Sequence, residues 1–144
     1  MCIQTYGQTI KFFEFSRCLK EHMNDSSEVL VRKNKAAFSE IVIRTYGPCN
    51  GNFDSGVEKT DDTINLKFWT KPIIVTDKNG NITELYEVAE CYCMFKFTYH
   101  IADLTINEKH SINVNGKTLQ DIDRNNILTE FDLEMYYQEN DSLK

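Results

Sequence analysis

Missing from this sequence is any apolar run approaching the roughly 20 residues that span a bilayer. Its start, Met1-Cys2-Ile3-Gln4-Thr5, lacks the basic stretch and following apolar segment of a secretory leader. These absences predict a chain that is neither exported nor membrane-spanning, in a cytoplasmic setting. Positive charge is also short. Lys and Arg number 16 against 22 Asp and Glu, a formal charge of −6. A general nucleic-acid binder needs a basic surface to displace phosphate counterions, so direct nucleic-acid binding is excluded from the expectation. No glycine-rich phosphate loop, H-E-x-x-H or G-x-S-x-G occurs. Nothing local argues for an enzyme or a cofactor, although a site assembled across a fold leaves no local signature. No internal repeat or low-complexity tract is present.

What is there suits one folded domain over residues 1–144. A chain of this length buries about two-thirds of its unfolded surface and needs neither disulfide nor metal to hold it. Aromatics reach 12% and supply large buried areas from few positions. The five cysteines, Cys2, Cys18, Cys49, Cys91 and Cys93, are odd in number and lack a framework spacing, which reads as reduced thiols.

Along the chain, Phe12, Phe15, Leu19 and Met23 fall at spacings of three, four and four. That is one face of a helix, predicted from about Ser16, although Phe13 and Phe15 also alternate as in a strand. Asn24-Asp25-Ser26-Ser27 ends it. Strands are expected at Glu28–Arg32 and Phe38–Tyr46, the latter with Ile41, Ile43 and Thr45 on one face. Residues 47–62 read as a long loop, and Gly47-Pro48 opens it. Ile64, Leu66 and Phe68 alternate with Asn65, Lys67 and Trp69, and Pro72 then marks an edge or a bulge. Two Asn-Gly pairs, Asn79-Gly80 and Asn115-Gly116, predict tight hairpins of type I′. From Ala89 the odd positions Cys91, Cys93, Phe95, Phe97, Tyr99 and Ile101 make an apolar face. Ile127 to Tyr137 alternates as a half-buried strand, and 138–144 reads as a frayed tail.

Together these elements predict an α+β fold: a curved antiparallel sheet of five to seven strands, meander-like, with an N-terminal helix on its apolar face. Helix first and meander after resembles cystatin-like and helix-grip arrangements, a likeness of architecture that carries no function.

Three groups of residues are candidates for chemistry. Cys91 and Cys93 share a strand face and could hold a metal with His100 or Cys18. Zinc sites want four ligands, usually as paired C-x₂₋₄-C units, so these are read as core thiols and no metal is expected. Asp77-x-Asn79-x-Asn81 opens like a calcium loop, but Ile82 stands where a sharp-turn glycine is needed and Val88 where a bidentate carboxylate belongs. His100, with Tyr92 and Trp69, could line a ligand pocket between helix and sheet.

The acidic C-terminal stretch has the most physical content. Glu130, Asp132 and Glu134 fall on one strand face, with Tyr136 following and Asp121 and Asp123 preceding them. Such a row either guards an edge against aggregation or steers a basic partner onto the surface. The functional expectation is therefore a small acidic protein-binding module. It would inhibit or sequester a protein with a basic surface, in the manner of immunity proteins or phage anti-defence inhibitors, and homo-oligomerisation is compatible with it. The alternatives are a small-ligand or enzymatic pocket at His100, and a chaperone-like module that recruits peptides along a strand edge. A long uncovered edge beside Pro72 would favour the last.

Overall fold

The alternating run that ends at Ile101 organises the molecule. In the computed structural model, which describes residues 6–7, 9–49, 51–85 and 91–122, it forms the ten-residue strand Tyr92–Ile101. Numbered in chain order, the strands are β1 (Tyr6–Gly7), β2 (Ile10–Phe15), β3 (Glu28–Asn34), β4 (Ser39–Pro48), β5 (Phe53–Lys59), β6 (Thr63–Thr70), β7 (Ile73–Thr76), β8 (Ile82–Leu85), β9 (Tyr92–Ile101), β10 (Ser111–Val114) and β11 (Lys117–Thr118). They build a sheet of order β2-β9-β4-β3, a sheet of order β1-β5-β6-β10-β11, and a separate two-stranded ribbon, β7-β8.

The two larger sheets pack face to face as a β-sandwich. Period-two alternation sends Phe95, Phe97, Tyr99 and Ile101 of β9 inward beside Ile41, Ile43 and Thr45 of β4, all at most 3% exposed. The opposing sheet contributes Phe53, Ile64, Leu66 and Phe68, with Val114 from β10. Phe53 meets Phe15, Phe68, Phe95 and Phe97 edge-on, and Phe68 stacks on Phe97 at 4.3 Å. Edge-to-face contacts suit the ring quadrupole, so this cluster adds to what burial alone supplies. Gly51 is there for room: a side chain on it would overlap the Phe53 ring. The Tyr99 hydroxyl donates to the Lys67 carbonyl at 2.7 Å and ties the sheets together. Burial drives that phenol's pKa far up.

The α+β expectation is corrected on several points. The described residues contain no helix of seven or more residues, and the N-terminal helix is absent. Residues 10–15 are a strand paired with β9, and only Lys20–His22 makes a single 3₁₀ turn. The reason is tertiary. The Ser16 and Leu19 amides donate to the Lys96 and Met94 carbonyls of β9, which removes the donors a helix would use. Residues 16–25 become a strap instead. The Tyr46 hydroxyl reaches the Met23 and Asp25 carbonyls at 2.9 and 2.7 Å, and Arg44 lies 3.6 Å from the Asp25 carboxylate. The strap thereby covers one end of the sheet's outer face.

The single meander-like sheet is likewise replaced by two sheets and a ribbon, and β10 runs parallel to β6. Residues 47–62 carry β5, because Phe53 and Val57 are buried against β6 neighbours rather than solvated. The expected strand at Phe38–Tyr46 is present and continues through Pro48, paired with Tyr92. The expected inward faces of β4, β6 and β9 are all buried. At Asn115-Gly116 both residues have positive φ, 50° and 82°, as a type I′ turn requires. At 77–81 only Gly80 does. There the Gly80 amide donates to the Asp77 carbonyl, a turn centred on Lys78-Asn79 with a left-handed glycine after it.

Candidate functional site

The β7–β8 ribbon leaves the sandwich directly after Lys71-Pro72. Pro72 has no amide to donate, so the β6 ladder cannot run straight on. The register pairs Ile73 with Leu85, Ile74 with Glu84, Val75 with Thr83 and Thr76 with Ile82. Cross-strand partners share a face, so Ile73, Val75, Leu85 and Thr83 form an almost wholly apolar surface. Ile74, Ile82, Glu84 and Thr76 form the other. Every residue of both strands is exposed, Ile74 to 63% and Ile82 to 70%.

Five of the eight large apolar side chains exposed among the described residues lie on these two strands. They form a patch, whereas scattered exposed leucines need no explanation. Among the described residues, each strand pairs with the other alone. The turn is nevertheless firmly built: Asp77 Oδ1 accepts from the Asn79 and Asn81 amides at 2.8 and 2.9 Å. Those bonds, the one from the Asn81 backbone first, hold the Asp77 carboxyl below its ordinary value. The calcium-like spacing of Asp77, Asn79 and Asn81 is therefore spent on capping a turn.

His100 lies on the outer face of β9. Its ring sits between Phe38, stacked at 4.3 Å, and Phe12 at 4.9 Å, and its Nε2 donates to Glu40 Oε2 at 2.8 Å. That hydrogen bond, with help from Lys35, lowers the Glu40 pKa. Tyr92 is at the opposite end of the same strand, about 27 Å away at ~3.4 Å per residue. Trp69 lies on the outer face of β6, half-exposed over Gly56, while its neighbour Phe68 points into the core. These three residues, read together from the sequence as a pocket, are thus spread over two outer faces and one strand end.

Of the acidic candidates, Asp121 is exposed in the 3₁₀ turn Leu119–Asp121. Asp123, Glu130, Asp132, Glu134 and Tyr136 lie outside the described residues, as do Ile127–Tyr137 and the tail 138–144.

The cysteines are arranged differently from isolated core thiols. Cys18 pairs with Cys93 and Cys49 with Cys91 as disulfides, and Cys49 Sγ lies 3.0 Å from Cys93 Sγ. Sequence reasoning weighed Cys18, Cys91 and Cys93 and missed Cys49. The available signal was positional, since Cys49 directly follows one strand and Cys91 directly precedes its partner.

No helix of the described residues is long and apolar enough to cross a membrane. No family model, curated protein or solved structure matches the chain.

Proposed function

We propose that this chain is a protein-binding module that engages an extended segment of its partner along the β7–β8 ribbon. One observation supports the reading above others: an apolar two-stranded ribbon, exposed on both faces, with free strand edges beside Pro72 among the described residues. Backbone groups on such an edge can hydrogen-bond an added strand, and alternate apolar side chains then select its sequence. The partner we propose carries a basic surface, because the chain's charge of −6 favours its approach. Glu130, Asp132 and Glu134 are the residues proposed to steer it. By occupying that partner the module would inhibit or sequester it, in a cytoplasmic setting.

The test is a photo-crosslinking amino acid placed at Ile74, and separately at Trp69 on the sandwich. A partner chain captured from Ile74, not from Trp69, and lost when Ile73 and Leu85 are changed to Glu, is the expected result. Capture from Trp69 alone would move the interface to the sandwich and overturn the ribbon reading. Retention after the Glu substitutions would do the same.

A further inference from the structure

Four of the five cysteines come from three separate segments: the strap (Cys18), the end of β4 (Cys49) and the start of β9 (Cys91 and Cys93). The Cys49 amide donates to the Cys91 carbonyl at 3.0 Å, and Gly47 and Pro48 are in register with Cys93 and Tyr92. The sheet itself therefore brings Cys49 and Cys91 together. The strap is fixed from the other side through the Leu19 amide on Met94. With Cα separations of 5.3 and 5.4 Å within the pairs and 3.0 Å between the sulfurs of Cys49 and Cys93, four sulfurs share one small volume. Cys93 is 6% exposed, whereas Cys91 is open to solvent.

Four thiols converging from a folded scaffold is the donor set of a closed tetrahedral zinc site. We propose that, once its two disulfides are reduced, the Cys18–Cys49–Cys91–Cys93 cluster binds one Zn²⁺ as a tetrathiolate. In the disulfide form these sulfurs carry no thiolate, and no group of three or more ligating side chains among the described residues can hold a metal ion. Reduction delivers two electrons and two protons to each disulfide, from a cellular dithiol that is itself oxidised to a disulfide. The metal then displaces four protons and takes the four thiolates. Zinc–sulfur bonds of about 2.3 Å place tetrahedral sulfurs about 3.8 Å apart. That requires the cluster to open by about 1 Å per sulfur, within the reach of χ1 adjustments on strand ends. Exposed Cys91 is the point of entry for reductant and metal. The site keeps the strap tied to β9 in the reduced state, as the Cys18–Cys93 disulfide does in the oxidised one.

The test uses the full chain with Cys2→Ser, so that only the four cluster cysteines remain. After reduction with a phosphine, which leaves as phosphine oxide, Co²⁺ is titrated in as a spectroscopic stand-in and displaced with Zn²⁺. The expected result is one ion per chain, thiolate-to-cobalt charge-transfer bands with tetrahedral ligand-field bands, and a zinc Kd of about 1 nM or tighter. Cys49→Ser and Cys91→Ser should each weaken binding by about 100-fold or more, since loss of an outer-shell partner alone costs about 10–100-fold. The unreduced protein should bind none. Should the reduced apoprotein lose its near-ultraviolet circular dichroism, Zn²⁺ is expected to restore it. A reduced protein that shows no thiolate bands, binds equally well without Cys49, or fails to regain its fold with zinc overturns the proposal.

Discussion

The sandwich and the ribbon are built from the same kind of residue in the same alternation, yet they end in opposite environments. Ile64, Leu66 and Phe68 of β6 are at most 1% exposed, while Ile73, Ile74 and Val75, a few residues further on, are 43–63% exposed. What differs is the presence of an opposing sheet. In β6 the inward side chains belong to the buried core shared with β9, where Phe68 stacks on Phe97, so burial stabilises the fold by about 1.5–3 kcal/mol per large side chain. In the ribbon the apolar face stays exposed, and a lone two-stranded hairpin is marginal in water. Apolar alternation therefore says where a strand wants a cover and does not say whether the chain itself provides it.

The sharpest way to break the contrast is to hollow out the sandwich. Phe53→Ala removes the ring that four other aromatic rings touch, and it should cost about 3–5 kcal/mol in urea unfolding. Ile74→Ser, an equally drastic change on the ribbon, should move the same midpoint by less than about 0.5 kcal/mol. Equal losses from both would show that the ribbon is packed in solution, and with it the interface reading would go. A smaller effect is expected from Tyr99→Phe, which removes the hydroxyl bond between the sheets while the Lys67 carbonyl keeps its ladder place opposite Gly56. About 0.5–1.5 kcal/mol should be lost, the net contribution of one ordinary hydrogen bond.

How much of this was legible beforehand follows from the same contrast. The inner faces of β4, β6 and β9 could be read because alternation survives packing. The type I′ turn at Asn115-Gly116 could be read because its chemistry is local. The helix was misread because Phe12, Phe15, Leu19 and Met23 have helical spacing, while the deciding contacts, Ser16 and Leu19 on β9 carbonyls, are some 75–80 residues away in sequence. β5 was missed because Phe53-Asp54-Ser55-Gly56-Val57 has only two apolar anchors, and those matter only once β6 lies beside them. At the candidate sites the chain's spacing misled in both directions. His100, Tyr92 and Trp69 lie apart, and the convergence of Cys49 with Cys18, Cys91 and Cys93 needed the strand register.

A local probe sharpens the comparison further. Gly80 has φ +82° in the ribbon turn, and open space surrounds the position where a side chain would sit. Gly80→Ala therefore meets no clash and carries only the left-handed penalty, about 1–2 kcal/mol. If ribbon and sandwich fold as separate units, amide exchange in β7 and β8 should speed up about 5–30-fold. Exchange in β9 should stay as it was.

The smallest expected effect concerns Glu40, which His100 and Lys35 hold on the sandwich surface. Its pKa is lowered from the ordinary 4.5, chiefly by the hydrogen bond from His100. A carboxyl whose folded pKa is depressed stabilises the fold above its unfolded value and stops doing so as pH falls through the folded one. The difference in thermal midpoint between the parent and Glu40→Gln should therefore be present above pH 4.5 and shrink as the pH is lowered beyond it. A difference that stays unchanged on acidification would mean the His100 ring is held mainly by Phe12 and Phe38, with Glu40 contributing nothing through its charge. The ribbon offers the control. Asp77 is also lowered, by backbone amides within its own turn, so its acid response should appear as local exchange in β7–β8 while the sandwich midpoint stays unmoved. Two carboxylates shifted in the same direction would then report on two different units, one coupled to the core through β4 and β9 and one answering only to its own turn.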